Sequence, residues 1–554
     1  MAKAATTTTA MNFSVYANID QAIIVWQYEN LIDNCIGFSI FRKNKGQSDA
    51  VAEPLKNKVG FEGEPHQPGE QRPSTEWPIQ RFTWVDFMVN RRDVVCYKIV
   101  PILFINGKLV KDETNASEWS GDISIDTGAE NQAFFNRGVI SSQFFTNMKN
   151  EFASELQGTS VKAIIGGNSN KVRDFLGGYL SEKLFGILDE IAGNTNLEVF
   201  GALYELQQGD LIAKLQAIGN RAHIVLANGS FKTKGEDKNE HSRTELTDAG
   251  VEVFDRIVDP GHFGHNKFLV IVDNRTGKKN VWTGSTNWTP GGLFSQVNNG
   301  IYFIDNNELA DTYLDEWGKL KDAGNSSIYP TLLATNASPL PTAGFPHVWF
   351  SPKKVTGDLD EVSALMDGAK KGILFLMFNP GPKNTLFNKI LAIQQNKPGF
   401  FVHGVINQDP GGKNNLIFFD KGKQDPAKWD DILPGKISQQ LGFFNEEDGA
   451  GLVTIHSKTI VIDPFTDNAT VITGSNNMGP KASTKNDDNL IIVKDKKLVE
   501  EYAVNMLAVY DHYRWRYSLS KADSTFKGLT KDTGWMKKYL ASGRGSELKN
   551  FWFK

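Results

Sequence analysis

One short string of residues is written twice in this chain, 191 positions apart. The first copy reads His265-Asn266-Lys267, an apolar run from Phe268 to Val272, Asp273, then Gly284-Ser285-Thr286-Asn287. The second reads His456-Ser457-Lys458, Thr459 to Ile462, Asp463, then Gly474-Ser475-Asn476-Asn477. The chain has only nine histidines in 554 residues, so two at matched places in one frame mark an internal duplication.

The duplication extends past the motifs. Upstream, the strand-like Leu197 to Tyr204, helical Asp210 to Ile218 and strand-like Ala222 to Ala227 parallel Gly372 to Phe378, Asn384 to Ile393 and Phe400 to Ile406. Downstream, Asn298 to Phe303 matches Asp488 to Val493. Each half therefore reads strand, helix, strand, motif strand, which predicts an α/β sheet with helices on its faces.

Chemistry follows from that placement. Side chains alternate along a strand, so a His and a Lys two apart face the same way. Each half offers an imidazole, an ammonium and, from its Gly-Ser-x-Asn box, an amide. Two halves face to face supply a pair of each, a set suited to a phosphodiester. One imidazole attacks phosphorus, Lys and Asn hold the equatorial oxygens, and the other imidazole protonates the leaving oxygen. No metal and no cofactor is called for.

These motifs resemble the phospholipase D superfamily signature, His-x-Lys-x4-Asp followed by Gly-Ser-x-Asn. The second copy matches it in full. The first has five residues between Lys267 and Asp273, which a bulge or a shifted carboxylate would absorb. The resemblance, over roughly residues 130 to 520, implies two similar α/β lobes packed as a pseudo-dimer. It assigns His265, Lys267, Asn287, His456, Lys458 and Asn477 to catalysis. Ser285 and Ser475 become supporting residues, or simply small residues at a turn; Asp463 and Asp273 are mainly structural. Related enzymes also place a carboxylate about a dozen residues past the Gly-Ser box to hold the catalytic imidazole. Thirteen past Ser475 stands Asp488, and thirteen past Ser285 stands Asn298. The expectation is that each serves its own lobe, with Asp488 on His456 as proton donor and Asn298 on His265 as nucleophile.

Length suits about three domains: a disordered start (1–12), a β-sandwich (13–125) and two lobes (126–338 and 339–554). The strand-length runs Ala22 to Trp26, Ile36 to Arg42 and Val94 to Val100 resemble a fibronectin type III or immunoglobulin-like domain, interrupted by Glu53 to Pro78. Such a piece should be separable from the catalytic lobes. Cys35 and Cys96 could bridge if their strands adjoin, but two buried thiols are expected. Without a signal-peptide pattern or a span-length apolar run, no transmembrane segment and a cytoplasmic location are expected. Peripheral membrane contact stays open.

A formal charge of −4 argues against a chain coated for nucleic-acid binding. The polar connection Lys232 to Arg243 and the segment Asn407 to Gly451, with Trp429, Phe443 and Phe444, are candidate cleft walls. The expected activity is hydrolysis or transfer of a phosphatidyl group without metal, through a phosphohistidine. A nuclease or other phosphodiesterase of the same superfamily is the alternative.

Overall fold

Each motif lysine begins the central strand of a mixed sheet. The computed structural model describes residues 4–8, 11–65, 67, 70–126, 131–138, 161–167, 169–326, 330–340, 345–378, 380, 385–397, 400–407, 416–419, 431–432, 455–520, 527–540 and 548–553. In the first lobe the strands lie in the order Asn131–Phe135, Asn299–Phe303, Lys279–Gly284, Lys267–Asp273, Leu197–Leu203, Ala222–Ala227, Glu252–Arg256. The second repeats it as His347–Ser351, Asp488–Val493, Thr470–Gly474, Lys458–Ile462, Gly372–Met377, Phe401–Ile406, and then adds Leu416–Phe419 and Asp431–Ile432. Register is matched too. Lys267 pairs with Leu203 and Lys458 with Met377, so both lysines stand level with the end of the preceding strand. The lobes part company at the far edge, where Glu252–Arg256 runs parallel to its neighbour and Leu416–Phe419 antiparallel.

The motif strands are apolar on both faces because both faces are covered. Leu269 and Ile271 point toward helices Lys171–Gly193 and Gly209–Ile218, while Phe268 and Val270 join a cluster with helix Asn307–Ala323. In the second lobe Ile460 and Ile462 pack with helices Gly357–Asp367 and Thr385–Asn396, and Val461 with helix Lys496–Ser520.

Helices Asn307–Ala323 and Lys496–Ser520 also join the lobes, in matched fashion. Tyr313 packs edge-on against Phe350 of the other lobe, and Tyr502 against Phe135, each with ring centroids 5.1 Å apart. Their hydroxyls reach Asn489 Oδ1 (3.3 Å) and Asn299 Oδ1 (2.9 Å). Two parallel bridges, Gly264 with Asp487 and Val297 with Ile455, tie the chain just before each motif to the opposite lobe. The halves thus meet about a pseudo-twofold axis beside the two motif histidines.

The N-terminal region is all-β. One antiparallel sheet holds Ala4–Thr8, Met11–Ala17, Ala22–Tyr28 and Thr83–Asp86; the other holds Lys108–Lys111, Val94–Ile105, Cys35–Asn44 and Glu53–Pro54. Trp26 and Phe38 meet edge to face between them. Ala4–Thr8, inside the stretch expected as a disordered start, pairs antiparallel with Met11–Val15. The region, expected to be separable, packs on the C-terminal part of the chain. Its Phe38 and Phe82 pack on Trp535, Tyr16 donates to the Trp552 carbonyl (2.8 Å), and Arg81 pairs with Asp511 (2.6 Å). One continuous apolar core runs from the sandwich into both lobes. Cys35 and Cys96 are buried free thiols; they lie on adjacent strands but oppose Leu103 and Lys43, not each other. Among the described residues no helix is long and apolar enough to cross a membrane.

Candidate active site

Glycine opens each box because the chain turns there against its neighbour. A β-carbon on Gly284 would lie 2.3 Å from the Asn299 carbonyl oxygen, and one on Gly474 2.4 Å from that of Asn489. Gly474 also has φ +129°. The serines that follow are more than turn residues. Ser475 Oγ donates to Asp488 Oδ1 (2.7 Å) and accepts from the Asn489 amide (3.0 Å). Ser285 Oγ donates to Asn298 Oδ1 (2.7 Å) and accepts from the Asn299 amide (3.1 Å).

The two residues so held cross the lobe boundary. Asp488 Oδ1 lies 2.7 Å from Nδ1 of His265, and Asn298 Oδ1 lies 2.9 Å from Nδ1 of His456. The spacing picked out both residues, but the intralobe pairing expected from it is wrong. The cause is the pair of bridges at the axis: the His265 amide donates to the Asp487 carbonyl (2.8 Å), and the His456 amide to that of Val297 (3.0 Å). Each post-box strand therefore starts beside the opposite lobe's histidine. The Asn298 amide is oriented by its own donation to the Gly292 carbonyl (2.8 Å), so its oxygen faces His456. Both imidazoles then carry their proton on Nδ1 and keep a lone pair on Nε2.

The lysines are arranged alike. Lys267 Nζ donates to the His265 carbonyl (2.6 Å) and sits over the Tyr204 ring; Lys458 Nζ donates to the His456 carbonyl (2.5 Å) and sits over Phe378. All four groups are buried, and that dominates their proton affinities. Burial, helped by Lys267, lowers His265 to about 4 against the pull of Asp488. Burial lowers Lys267 to about 7, with Asp488 and Glu205 opposing. Burial and Lys267 push Lys458 well below its ordinary value, and burial with both lysines does the same to His456. Burial alone would raise Asp488, but His265 and Lys267 hold it below the usual carboxylate range.

Asn287 Nδ2 donates to Glu205 Oε2 (2.6 Å), while the side-chain oxygens of Asn287 and Asn477 have no hydrogen-bond partner among the described residues. The two aspartates of the motifs stand apart from this centre. Asp463 accepts from the backbone amides of Lys370, Lys371 and Gly372, bracing the preceding strand. Asp273 accepts from the amides of Arg275 and Thr276 in a hairpin turn. No bulge absorbs the extra residue of the first motif: pairing with Leu197–Leu203 is unbroken from Lys267 to Asp273, so this strand has seven residues against five in Lys458–Ile462, and it ends on the aspartate, whose carboxylate caps the turn that follows. His262 reaches the Lys485 carbonyl across the interface (3.0 Å).

Of the candidate walls, the first is tied to the site through Asn239, which donates to the Tyr204 carbonyl (2.8 Å). Trp429, Phe443 and Phe444 lie outside the described residues. Sequence reasoning missed Glu205, Tyr204, Phe378, the cross-lobe Asn299 and Asn489, and the buried Arg256–Asp487 pair (2.8 Å). The two asparagines left a signal in their matched place fourteen residues past each serine, and Tyr204 and Phe378 in closing the matched strands; Glu205, Arg256 and Asp487 left none. Among the described residues no group of three or more His, Cys, Asp or Glu is placed to hold a metal ion.

Residues 362–509 match the family model described as cardiolipin synthase, PLD-like domain. No curated protein sequence matches the chain. Among solved structures the chain is similar to Nuc, a phospholipase D family member from Salmonella typhimurium, at 19% identity over 26% of this chain and 88% of that one (TM-score 0.21). It is similar to phosphatidylserine synthase from Haemophilus influenzae Rd KW20 at 14% identity over 67% and 93% (TM-score 0.40). It is also similar to polyphosphate kinase from Porphyromonas gingivalis at 11% identity over 94% and 80% (TM-score 0.39). The family model falls on the second lobe, and the same motif, strand order and site bonds recur in the first, so both lobes of this chain are similar to the phospholipase D-like domain.

Proposed function

We propose that this chain is a metal-independent phosphodiesterase of phospholipase D type, which hydrolyses or transfers a phosphatidyl group through a phosphohistidine on His265. The observation that carries the reading is the crossed pair of bonds, Asp488 to His265 and Asn298 to His456. When Nε2 of His265 bonds to phosphorus the ring becomes cationic, and a carboxylate on Nδ1 stabilises that charge where an amide cannot. His456, held by the neutral Asn298, gives up a proton more readily and suits the general acid. The roles are those the sequence suggested; the electrostatic reason is the opposite one.

Nε2 of His265 attacks phosphorus, the bond to the departing alcohol oxygen breaks, and that oxygen takes the proton from Nε2 of His456, which enters the step as the imidazolium that the arriving phosphodiester's negative charge favours. Lys267, Lys458, Asn287 and Asn477 hold the equatorial oxygens, supplying charge that a Mg²⁺ ion would otherwise bring. His456 then takes a proton from water or an alcohol, whose oxygen attacks phosphorus and releases His265. A phospholipid is favoured as substrate by the net charge of −4 and by the name of the matching family model.

The test is a rapid quench of EDTA-treated protein with head-group and phosphate-labelled phosphatidylcholine. His456→Ala should trap phosphate label on His265. Label on His456 in a His265→Ala variant, or activity lost to EDTA and restored by Mg²⁺, would sink the mechanism. Single- and double-stranded DNA and bis-p-nitrophenyl phosphate in the same panel decide the substrate; turnover of DNA and none of lipid would select the nuclease.

A further inference from the structure

Beyond the end of strand Leu197–Leu203 the chain leaves the sheet at the site through Tyr204 and Glu205. This exit is clamped to the Gly-Ser-x-Asn box: the Trp288 amide donates to the Glu205 carbonyl (3.2 Å), and the amides of Gln207 and Gln208 both donate to the Trp288 carbonyl (2.9 and 3.0 Å). Glu205 is thereby fixed next to Asn287, and its Oε2 accepts from Asn287 Nδ2 at 2.6 Å. That bond uses one N–H of the amide and aims it, leaving the second for a phosphoryl oxygen. The Glu205 charge is felt by both Lys267 and Lys458.

In the second lobe the corresponding sequence position is Asn379, which lies outside the described residues. Glu205 is thus an acid that the duplication does not require. Its carboxylate and that of Asp488 are the two acids whose charge acts on both lysines. A phosphodiester brings one negative charge to this setting. A phosphomonoester above its second pKa of about 6 brings another, on an oxygen that a diester would have esterified.

We infer that Glu205 is a positioning and specificity-determining residue, which aims the Asn287 amide and makes the site take singly charged phosphodiesters while rejecting doubly charged phosphomonoesters. The inference rests on the reading of this centre as a phosphodiester site. A unit charge acting across several ångströms of protein is worth about tenfold or more in affinity.

The experiment compares methyl phosphate with dimethyl phosphate as competitive inhibitors, in the full chain and in Glu205→Gln, from about pH 5 to about pH 8, a range that brackets the monoester's second ionisation. Glutamine keeps an oxygen acceptor for Asn287 and removes only the charge. In the unsubstituted protein the ratio of the two inhibition constants should move about tenfold against methyl phosphate as it becomes a dianion. In Glu205→Gln that movement should shrink by the part that the Glu205 charge contributes. The comparison between the two proteins isolates Glu205, because titration of Lys267 at about 7 moves the ratio in both, and a purely structural role for Glu205 would weaken both inhibitors alike. An unchanged ratio with diester cleavage intact overturns the role of Glu205 alone. Failure of either inhibitor to bind, with no diester cleaved, overturns the phosphodiester reading as well.

Discussion

Lys267→Met should make the protein more stable while abolishing its activity, and the gain should depend on pH. Lys267 is only 2% exposed, and burial brings its pKa from 10.5 down to about 7. At about 1.36 kcal/mol per pKa unit, that is a penalty of about 5 kcal/mol on the charged form. Methionine fills similar space beside Tyr204 but forfeits the hydrogen bond to the His265 carbonyl, worth about 1.5–3 kcal/mol for a charged donor. The net expectation below pH 7 is a gain of about 2 kcal/mol, or several degrees in melting temperature. Below the folded pKa of about 7, folded and unfolded chains both hold the proton and the penalty is complete. Between about 7 and 10.5 the folded chain sheds its proton first, so the wild type recovers stability as pH rises and the variant has nothing to recover. Thermal melts of both proteins at pH values on either side of 7 read this directly. A variant that melts lower than the wild type below pH 7, or a difference that does not shrink above it, would refute the idea that the site holds its ammonium under strain.

Three further outcomes follow from the same geometry. Asp488→Asn should slow the first step about 10- to 100-fold for p-nitrophenyl and alkyl leaving groups alike, because it weakens the nucleophile; single-turnover rates that fall for alkyl leaving groups only would point to the acid instead. Arg256→Met should cost about 3–5 kcal/mol in denaturant melts by leaving Asp487 buried and unpaired between the lobes, and Asp487→Asn added to it should recover part of the loss. Removing residues 1–122 should yield insoluble or aggregated protein, since it uncovers Trp535, Tyr539 and Trp552, each worth roughly 1.5–3 kcal/mol of burial. A monomeric, active remainder on size exclusion would contradict that.

The succession of elements leading to each motif was legible because a duplicated strand with a fixed register leaves a duplicated string, and Lys267 and Lys458 do occupy the same register. The leading strands Asn131–Phe135 and His347–Ser351 were not, since each joins the sheet by pairing with a strand more than 130 residues later. The spacing that exposed Asp488 and Asn298 gave their place along the chain and nothing about the axis between the lobes, so the partner of each was misassigned. Glu205 left no trace for a related reason: its meaning comes from Asn287, 82 residues away, and from a clamp made of backbone bonds. The sandwich strands were readable as strand-length runs, but the C-terminal segment that shares their core carries no marker of where it docks.

The crossing of the two histidine partners bears on how such a molecule can change over time. In a symmetric pair of identical chains, both histidines would face the same residue, and any substitution would reach both. A chain holding both copies is free of that restriction. Here one copy contributes a carboxylate and the other an amide, so each half sets the chemistry of its opposite. Drift in one Gly-Ser box is felt at the other's imidazole, and among descendants of this sequence position 265 should covary with 488, and 456 with 298, rather than within either repeat.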